Sequence, residues 1–297
     1  MTQPITTQQP IKLIAVDLDG TLLNSQHELS DRNEKALKDA MAKGIKVIIA
    51  TGKTFPSAAH IIKRLGITLP GVFVQGTTIY NADGTLHNQK TLDINIARQV
   101  ITFAEDRGYH MAVYSGKRIL VRYTGKRVEE LTTHFGEPLP EAVGPLQNIL
   151  DTVPVNKVLA VAPGDPHRIA ALRWQLSMQL NGTATLLNAG ISDMLEVLPP
   201  GASKGGMVKT LIKELGVPAN QVLACGDAEN DVEMLELAGI GVAMGNANQH
   251  IKSIANVVVA TNDNDGVAEA VERFVLNVDL GKTQTVAASK VEASPTP

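Results

Sequence analysis

Five short stretches of the chain are almost continuously apolar and rich in β-branched residues. They span Lys12–Val16, Ile45–Ala50, Val72–Gln75, Val222–Cys225 and Val257–Ala260. A strand that faces solvent on one side alternates apolar and polar residues, whereas a strand covered on both faces is apolar throughout. The pattern therefore predicts the strands of a sheet that is buried on both faces.

Three segments with the helical spacing of apolar residues lie beside these strands. Each has a residue typical of a helix start and a glycine at its end. They begin near Ser30, Pro56 and Ser203 and end at Gly44, Gly66 and Gly216, respectively. Strands that alternate with helices in this way are typical of an α/β fold with a doubly wound, mostly parallel sheet.

The middle third of the chain is more polar and mixes helix-like with strand-like segments, which predicts an inserted α+β domain. We therefore expect a discontinuous core domain at residues 11–84 and 192–278, with the inserted domain at residues 85–191. The polar residues 1–10 are expected to be a disordered lead, and the small, polar residues 279–297 a disordered tail.

Bulk composition narrows the class of protein. The chain has 297 residues, of which 44% are hydrophobic and 19% charged, and its formal net charge is −3. No apolar run has the length of a membrane span, the first residues lack the pattern of a signal peptide, and no basic cluster indicates nucleic-acid binding. The single cysteine, Cys225, excludes an internal disulfide. We expect a cytoplasmic protein with no membrane or nucleic-acid partner, whose oligomeric state the sequence does not determine.

Two pairs of acidic residues follow apolar strands. Asp17 and Asp19 come after the first strand, and Asp227 and Asp231 come after the strand that ends at Cys225. Residues i and i+2 of an extended chain point to the same side, with Cα atoms roughly 6–7 Å apart. Like charges held so close need a cation or a shared proton. If the two strands are neighbours, Asp17, Asp19 and Asp227 share one site, and such all-oxygen ligands suit Mg²⁺.

Two further polar signals accompany the acidic residues. Thr51 and Gly52 end an apolar strand, and Lys204 lies at a predicted helix start. Backbone N–H groups at a helix start and a nearby cation both bind anions. Acidic residues that bind a metal, a hydroxyl, a lysine and a helix N-terminus together indicate a phosphoryl-binding site.

Several of these motifs also have a less specific interpretation. An Asp-x-Asp at a strand end is as often only a turn. A calcium loop beginning at Asp17 fails because Leu22 stands where the loop needs glycine, and a P-loop ending at Thr54 fails because Val47 replaces its first glycine. Cys225 is predicted to be a core residue rather than a nucleophile.

The same residues carry a resemblance to a known family. Four motifs resemble those of the haloacid dehalogenase superfamily of phosphatases: Asp17-Leu-Asp19-Gly-Thr21, Thr51-Gly52, Lys204 and Gly226-Asp227-x-x-Asn230-Asp231. The segments GVAMGNA and TNDNDGVAEAV, at residues 241–247 and 261–271, resemble the Cof-type branch in particular. The resemblance implies a Rossmann-like core, with the inserted domain as a cap between Gly52 and Lys204.

The resemblance also implies a role for each acidic residue. Asp17 would be the nucleophile that forms an aspartyl phosphate, and Asp19 the general acid and base. Mg²⁺ would bind the carboxylates of Asp17 and Asp227 and the backbone carbonyl of Asp19. Asp231 would orient these groups from outside the metal's ligand set.

The remaining motif residues would bind the phosphoryl group. They are Leu18, Thr51, Gly52, Lys204 and Asn230. The chain departs from the family pattern at Lys53, where arginine is common, and at Gln75, where asparagine is common. Both departures affect which substrate the protein would accept rather than the chemistry.

The function implied by the resemblance is that of a Mg²⁺-dependent phosphomonoesterase. Its substrate would be a small-molecule phosphate ester such as a sugar phosphate or a phosphorylated cofactor. Two alternatives stay open at the level of sequence. One is phosphoryl transfer to an acceptor other than water, as in a mutase, and the other is a protein that binds a phosphorylated ligand without catalysis.

Overall fold

The computed structural model describes residues 10–125, 136–188 and 192–278. The predicted tail at 279–297 lies outside these residues, as does the predicted lead except for its last residue. The chain divides into two compact units. One consists of the chain up to Val47 and from Ile212 onward, and the other of Ile48–Leu211. The predicted boundaries at 11–84, 85–191 and 192–278 stay a prediction.

Strands and helices alternate along most of the described chain. The strands are β1 (Leu13–Val16), β2 (Lys46–Ile49), β3 (Gly71–Phe73), β4 (Thr78–Tyr80), β5 (Leu86–Gln89), β6 (His110–Ser115), β7 (Arg118–Val121), β8 (Glu141–Ala142), β9 (Lys157–Val161), β10 (Thr185–Leu187), β11 (Met194–Leu198), β12 (Val222–Gly226), β13 (Ile240–Ala243) and β14 (Val257–Val258). The α-helices in the described ranges are α1 (Asp31–Ala42), α2 (Phe55–Leu65), α3 (Ile94–Glu105), α4 (Pro166–Leu180), α5 (Lys204–Glu214), α6 (Val232–Leu237), α7 (Gln249–Ile254) and α8 (Gly266–Val271).

The predicted helix signals occur where the sequence places them. Ser30 Oγ accepts a backbone N–H at the start of α1 at 3.1 Å. Pro56 lies in the first turn of α2, and Gly66 ends that helix with a φ of +72°. Ser203 Oγ accepts a backbone N–H of α5 at 3.0 Å. These side chains satisfy backbone groups that a helix terminus leaves without a partner.

A five-stranded sheet has the order β14–β13–β12–β1–β2, and the boundary between the two units falls within β2. The pairs β1–β12, β12–β13 and β13–β14 are parallel. Strand β1 is buried at every residue, as is β12. The predicted α/β class with a doubly wound parallel sheet is confirmed.

The unit Ile48–Leu211 contains two further sheets. One has the order β10–β11–β9–β6–β7–β8 and is antiparallel except for the pair β7–β8, and the other has the order β3–β4–β5. Helices α3 and α4 pack against one face of the six-stranded sheet, where Val113, Val158 and Leu195 belong to the same apolar core. The predicted α+β character of the inserted segment is therefore confirmed. Among the described residues, no helix is both long and apolar enough to cross a lipid bilayer.

Candidate active site

Asp17 and Asp227, which begin the two acidic motifs, lie at the same edge of the parallel sheet. Strands β1 and β12 pair in register, with Val16 opposite Cys225. Asp17 directly follows β1, and its N–H donates to the Cys225 carbonyl at 3.2 Å. Asp227 directly follows β12. Because parallel strands end at a common edge, the two carboxylates lie where α/β folds bind ligands.

Three carboxylates converge at this edge. Asp17, Asp227 and Asp231 each offer an oxygen, and these oxygens all lie within 4.8 Å of one another. Asp17 is 4% exposed and Asp231 is fully buried. Three negative charges this close repel one another unless a cation lies between them. A set of hard oxygen donors fits Mg²⁺, so the residues present suit the metal that the sequence predicts.

Hydrogen bonds hold two of these carboxylates in place. Asp231 Oδ2 accepts the N–H groups of Asp227 and Ala228, each at 3.1 Å. Thr21 Oγ1 donates to Asp227 Oδ1 at 2.8 Å. Gly20 has a φ of +72°, and a Cβ there would lie 2.4 Å from Asp227 Oδ2. The tight turn after β1 therefore needs glycine for its conformation and for its close approach to the carboxylate.

The convergence of carboxylates predicts an effect of metal on stability. We expect millimolar Mg²⁺ to stabilise the native protein by about 1–3 kcal/mol if its concentration is about 10–100 times Kd, because the ion binds only the folded cluster. Thermal melting with Mg²⁺ and with EDTA measures this, at constant ionic strength set by NaCl. In Asp227→Asn the shift is expected to shrink strongly. A melting curve that Mg²⁺ leaves unchanged in the wild type would argue against a preformed metal site.

Asp19 has a different environment from the three converging carboxylates. Its Oδ1 lies 3.0 Å from His27 Nδ1, and both side chains are about one-third exposed. His27 has a φ of +60°, and its N–H donates to the Asn24 carbonyl at 2.9 Å. The turn therefore holds the imidazole against Asp19. The contact of His27 with Asp19 could not be predicted from the sequence, because no periodicity or motif relates the two residues.

The predicted phosphate-binding residues of the second unit cluster around one turn. Thr51 and Gly52 follow β2, and the Gln75 N–H donates to the Thr51 carbonyl at 3.3 Å. A Cβ at Gly52 would lie 2.6 Å from Gln75 Nε2, so the Gln75 side chain lies directly against the loop. Lys204 is the first residue of α5 and is 2% exposed.

The turn at Val74–Gly76 contacts both that loop and the start of α5. Val74, Gln75 and Gly76 have φ values of +49°, +58° and +80°, and the Val74 N–H donates to the Lys53 carbonyl at 2.9 Å. A positive φ is rare for a β-branched residue, so the turn stores backbone strain. A Cβ at Gly76 would lie 2.0 Å from the Ser203 carbonyl oxygen. The prediction of a strand through Gln75 is wrong, since β3 ends at Phe73.

The predicted site residues therefore form two groups, one in each unit. Asp17, Asp227 and Asp231 converge in the first unit, where Leu18 and Asp19 belong to the turn after β1 and Asn230 to a short helical turn at Glu229–Asp231. Thr51, Gly52 and Lys204 surround one turn in the second unit. The roles given to these residues by the family resemblance stay predictions.

Cys225 lies in the interior of β12 next to the acidic group. Burial, and secondarily the charge of Asp231, raises the pKa of its thiol to about 12. The nucleophilic form of cysteine is the thiolate, so this thiol is not an effective nucleophile near neutral pH.

Comparisons with known proteins agree with this arrangement. The family model described as haloacid dehalogenase-like hydrolase matches residues 14–271. A chloroplastic endoribonuclease YBEY of Arabidopsis thaliana is 37% identical over 88% of this chain, although the chain spans only 46% of that protein. Phosphatase YwpJ of Bacillus subtilis is 32% identical, and the match covers 89% of this chain and 100% of YwpJ.

Two further comparisons extend along most of the chain. The 5-amino-6-(5-phospho-D-ribitylamino)uracil phosphatase YcsE of Bacillus subtilis is 29% identical over 90% of this chain and 96% of its own length. The crystal structure of a haloacid dehalogenase-like hydrolase from Bacteroides thetaiotaomicron superposes with a TM-score of 0.80 at 30% identity, covering 89% of this chain and 99% of that one. The chain therefore belongs to the haloacid dehalogenase-like hydrolases, within their Cof-type phosphatase branch.

Proposed function

We propose that this enzyme is a Mg²⁺-dependent phosphomonoesterase that hydrolyses a small phosphorylated metabolite, a sugar phosphate or a phosphorylated cofactor, through an aspartyl phosphate. The convergence of Asp17, Asp227 and Asp231 at the end of β1 and β12 carries this proposal. It offers a buried carboxylate, which we assign as the nucleophile, next to donors that suit a divalent cation. The phosphatase names of relatives similar over most of their length support the same reaction class.

The proposed reaction divides into two displacements at phosphorus. A carboxylate oxygen of Asp17 attacks the phosphoryl group, and Asp19 protonates the departing alkoxide to give the alcohol. Asp19 then takes a proton from water, which attacks the aspartyl phosphate, releases inorganic phosphate and restores Asp17. Mg²⁺ bound by Asp17, Asp227 and the Asp19 carbonyl would neutralise developing negative charge.

Lys204, Thr51 and backbone groups would hold the phosphoryl oxygens. The Lys204 ammonium is shielded from water, where its attraction for an anion is stronger than at the surface. Thr51 offers a hydroxyl, Gly52 and Leu18 offer backbone groups, and Asn230 lies in the motif that follows β12. A cytoplasmic location is part of this proposal.

Phosphate release from p-nitrophenyl phosphate tests the proposed function. The assay compares the wild type with Mg²⁺, with EDTA, and with EDTA followed by excess Mg²⁺. We expect turnover with Mg²⁺, its loss in EDTA and its recovery on metal addition. Turnover that is insensitive to EDTA would overturn the metal dependence. Absence of turnover for p-nitrophenyl phosphate and for a panel of sugar phosphates would overturn the phosphatase assignment.

The contact between His27 and Asp19 gives a smaller prediction. Removing the imidazole in His27→Ala is expected to lower kcat about 3- to 10-fold and leave KM nearly unchanged, because the Asp19 carboxylate loses a group that restricts its orientation. His27→Asn, which can still donate a hydrogen bond, is expected to retain more of the activity. Steady-state kinetics on one alkyl phosphate measures both variants, and equal losses would contradict a positioning role.

A further inference from the structure

A buried ion pair lies on the six-stranded sheet, away from its apolar core. Side chains alternate between the two faces of a strand. Val113, Val158 and Leu195 belong to the core beneath α3 and α4. Their neighbours Tyr114, Lys157 and Glu196 therefore project from the opposite face of β6, β9 and β11. Tyr114 pairs directly with Lys157 across β6 and β9.

The three side chains form one polar cluster. Lys157 Nζ donates to Glu196 Oε1 at 2.6 Å and lies 3.9 Å from the centre of the Tyr114 ring. Lys157 is 3% exposed and Glu196 is 6% exposed. In the described part of the chain, the buried Glu196 Oε2 has no hydrogen-bond partner. Glu196 therefore has one carboxylate oxygen, Oε1, that is bound to Lys157 and a second, Oε2, that is still able to accept a hydrogen bond.

A buried ion pair of this kind is seldom the most stable arrangement for a fold. Apolar side chains of similar volume in place of a buried ion pair are often neutral or more stabilising, because both charges lose their hydration. An acceptor left without a partner away from water is a further cost. A ligand that donates a hydrogen bond to Glu196 Oε2 would satisfy that atom, so the arrangement is better suited to binding than to folding.

Glu137 links this cluster to the predicted phosphate-binding loop of the same unit. Its carboxylate accepts the Thr54 N–H at 3.1 Å and the Thr54 and Ser57 hydroxyls, each at 2.6 Å. Thr54 is the N-cap residue of α2 and lies three residues after Thr51. The negative charge of Glu137 also reaches Tyr114 and Lys157, where it contributes to raising the pKa of each.

Two members of the cluster, Lys157 and Tyr114, keep their protons near neutral pH. Burial alone would lower the pKa of Lys157, but the combined interactions with Glu196, Tyr114 and Glu137 outweigh it, and the pKa is raised. Burial raises the pKa of Tyr114 to about 12, so the phenol keeps its proton. With Glu137 included, one ammonium faces two carboxylates. This surplus of negative charge disfavours a ligand that carries a carboxylate of its own.

We propose that Tyr114, Lys157 and Glu196 form a recognition site for the leaving group of the substrate, the group that is esterified to the phosphate. This leaving group is uncharged and rich in hydroxyls, as in a sugar or a polyol. A ligand hydroxyl donates to Glu196 Oε2, and the Tyr114 phenol supplies a second polar contact. The inference rests on the proposed phosphatase function, since it names the class of ester that the same enzyme hydrolyses.

Three esters and one substitution test the inference. Ribitol 5-phosphate carries hydroxyls, 3-phosphoglycerate carries a carboxylate, and p-nitrophenyl phosphate has no hydroxyl donor in its leaving group. We expect the wild type to prefer ribitol 5-phosphate over 3-phosphoglycerate by at least about 10-fold in kcat/KM. Glu196→Gln keeps an oxygen for Lys157 but replaces the free acceptor by a donor. It is expected to lower kcat/KM for ribitol 5-phosphate about 10- to 100-fold and change that for p-nitrophenyl phosphate less than about twofold.

Glu141→Gln is the matched control. Glu141 lies on β8 of the same sheet, is exposed and pairs with Arg118, so the same chemical change should leave all three esters unaffected. If Glu196→Gln does not fold, Tyr114→Phe takes its place. It keeps the ring beneath Lys157, and a loss of about 3- to 10-fold confined to ribitol 5-phosphate is expected.

The possible failures are distinguishable. Equal losses for ribitol 5-phosphate and p-nitrophenyl phosphate, no loss for either, or a wild-type preference for 3-phosphoglycerate would overturn the inference and leave the phosphatase function standing. Hydrolysis of p-nitrophenyl phosphate without any hydrolysis of ribitol 5-phosphate would also overturn the inference and leave the phosphatase function standing. A wild type that hydrolyses none of the esters would overturn the proposed function and this inference with it.

Discussion

Replacement of Asp17 by asparagine is expected to lower kcat for p-nitrophenyl phosphate by at least about 10³-fold, because the amide oxygen is a poor nucleophile toward phosphorus. Asp17 is buried at the end of β1 beside Asp227 and Asp231. An asparagine has nearly the same size, so the loss should come from chemistry rather than from repacking. Phosphate release in the presence of Mg²⁺ measures the effect.

A second measurement separates this loss from misfolding. In EDTA, Asp17→Asn is expected to melt no lower than the wild type, because one of three mutually repelling charges is removed. Its stabilisation by Mg²⁺ should be smaller than that of the wild type. Asp39→Asn, at an exposed carboxylate that pairs with Lys35 on α1, is the matched control and should keep full activity. Activity of Asp17→Asn within about 10-fold of the wild type would rule out Asp17 as the nucleophile.

Replacement of Gly76 by alanine is expected to destabilise the protein by about 3 kcal/mol or more, which lowers Tm by roughly 6–12 °C. Two effects combine. Alanine at a φ of +80° costs about 1–2 kcal/mol, and its Cβ would lie 2.0 Å from the Ser203 carbonyl oxygen. That oxygen belongs to the backbone at the start of α5, so either the turn or the helix has to move. Because Lys204 is the next residue, we also expect weaker phosphate binding, seen as a raised KM.

Gly201→Ala provides the control for Gly76→Ala. Gly201 has a φ of +65°, but nothing lies within 4 Å of a Cβ placed there. The substitution therefore carries the conformational cost alone, about 1–2 kcal/mol, and should leave KM unchanged. Thermal melting and steady-state kinetics on both variants separate the two contributions. Equal destabilisation by the two substitutions would show that the close approach at Gly76 is relieved at little cost.

The acidic group could be predicted in large part from the chain alone. The apolar runs before Asp17 and Asp227 indicated two buried strands, and the ends of parallel neighbours must meet at one edge. The convergence of the Asp231 carboxylate with those of Asp17 and Asp227 could not be predicted from the positions of the strands. The Asp231 carboxylate reaches that group because the chain turns sharply after β12, which places Asp231 over the N–H groups of Asp227 and Ala228.

The turn after β3 shows where local patterning misleads. Val74 is apolar and β-branched and so extends the strand pattern of its neighbours. In the structure it adopts a φ of +49°, because its N–H donates to Lys53 and the turn packs beneath the start of α5. Contacts with segments far along the chain outweigh the intrinsic preference of the residue for a strand.

Local patterns along the chain were enough to predict the α/β class, the buried strands, the helix starts and ends, and the motif residues that carry the family resemblance. Each of these depends on residues close together along the chain, through side-chain periodicity and capping. Only the tertiary structure brought His27 to Asp19, Glu137 to Thr54, and Lys157 to Glu196. Such pairs depend on turn geometry, strand register and the order of strands in a sheet, which no local pattern encodes.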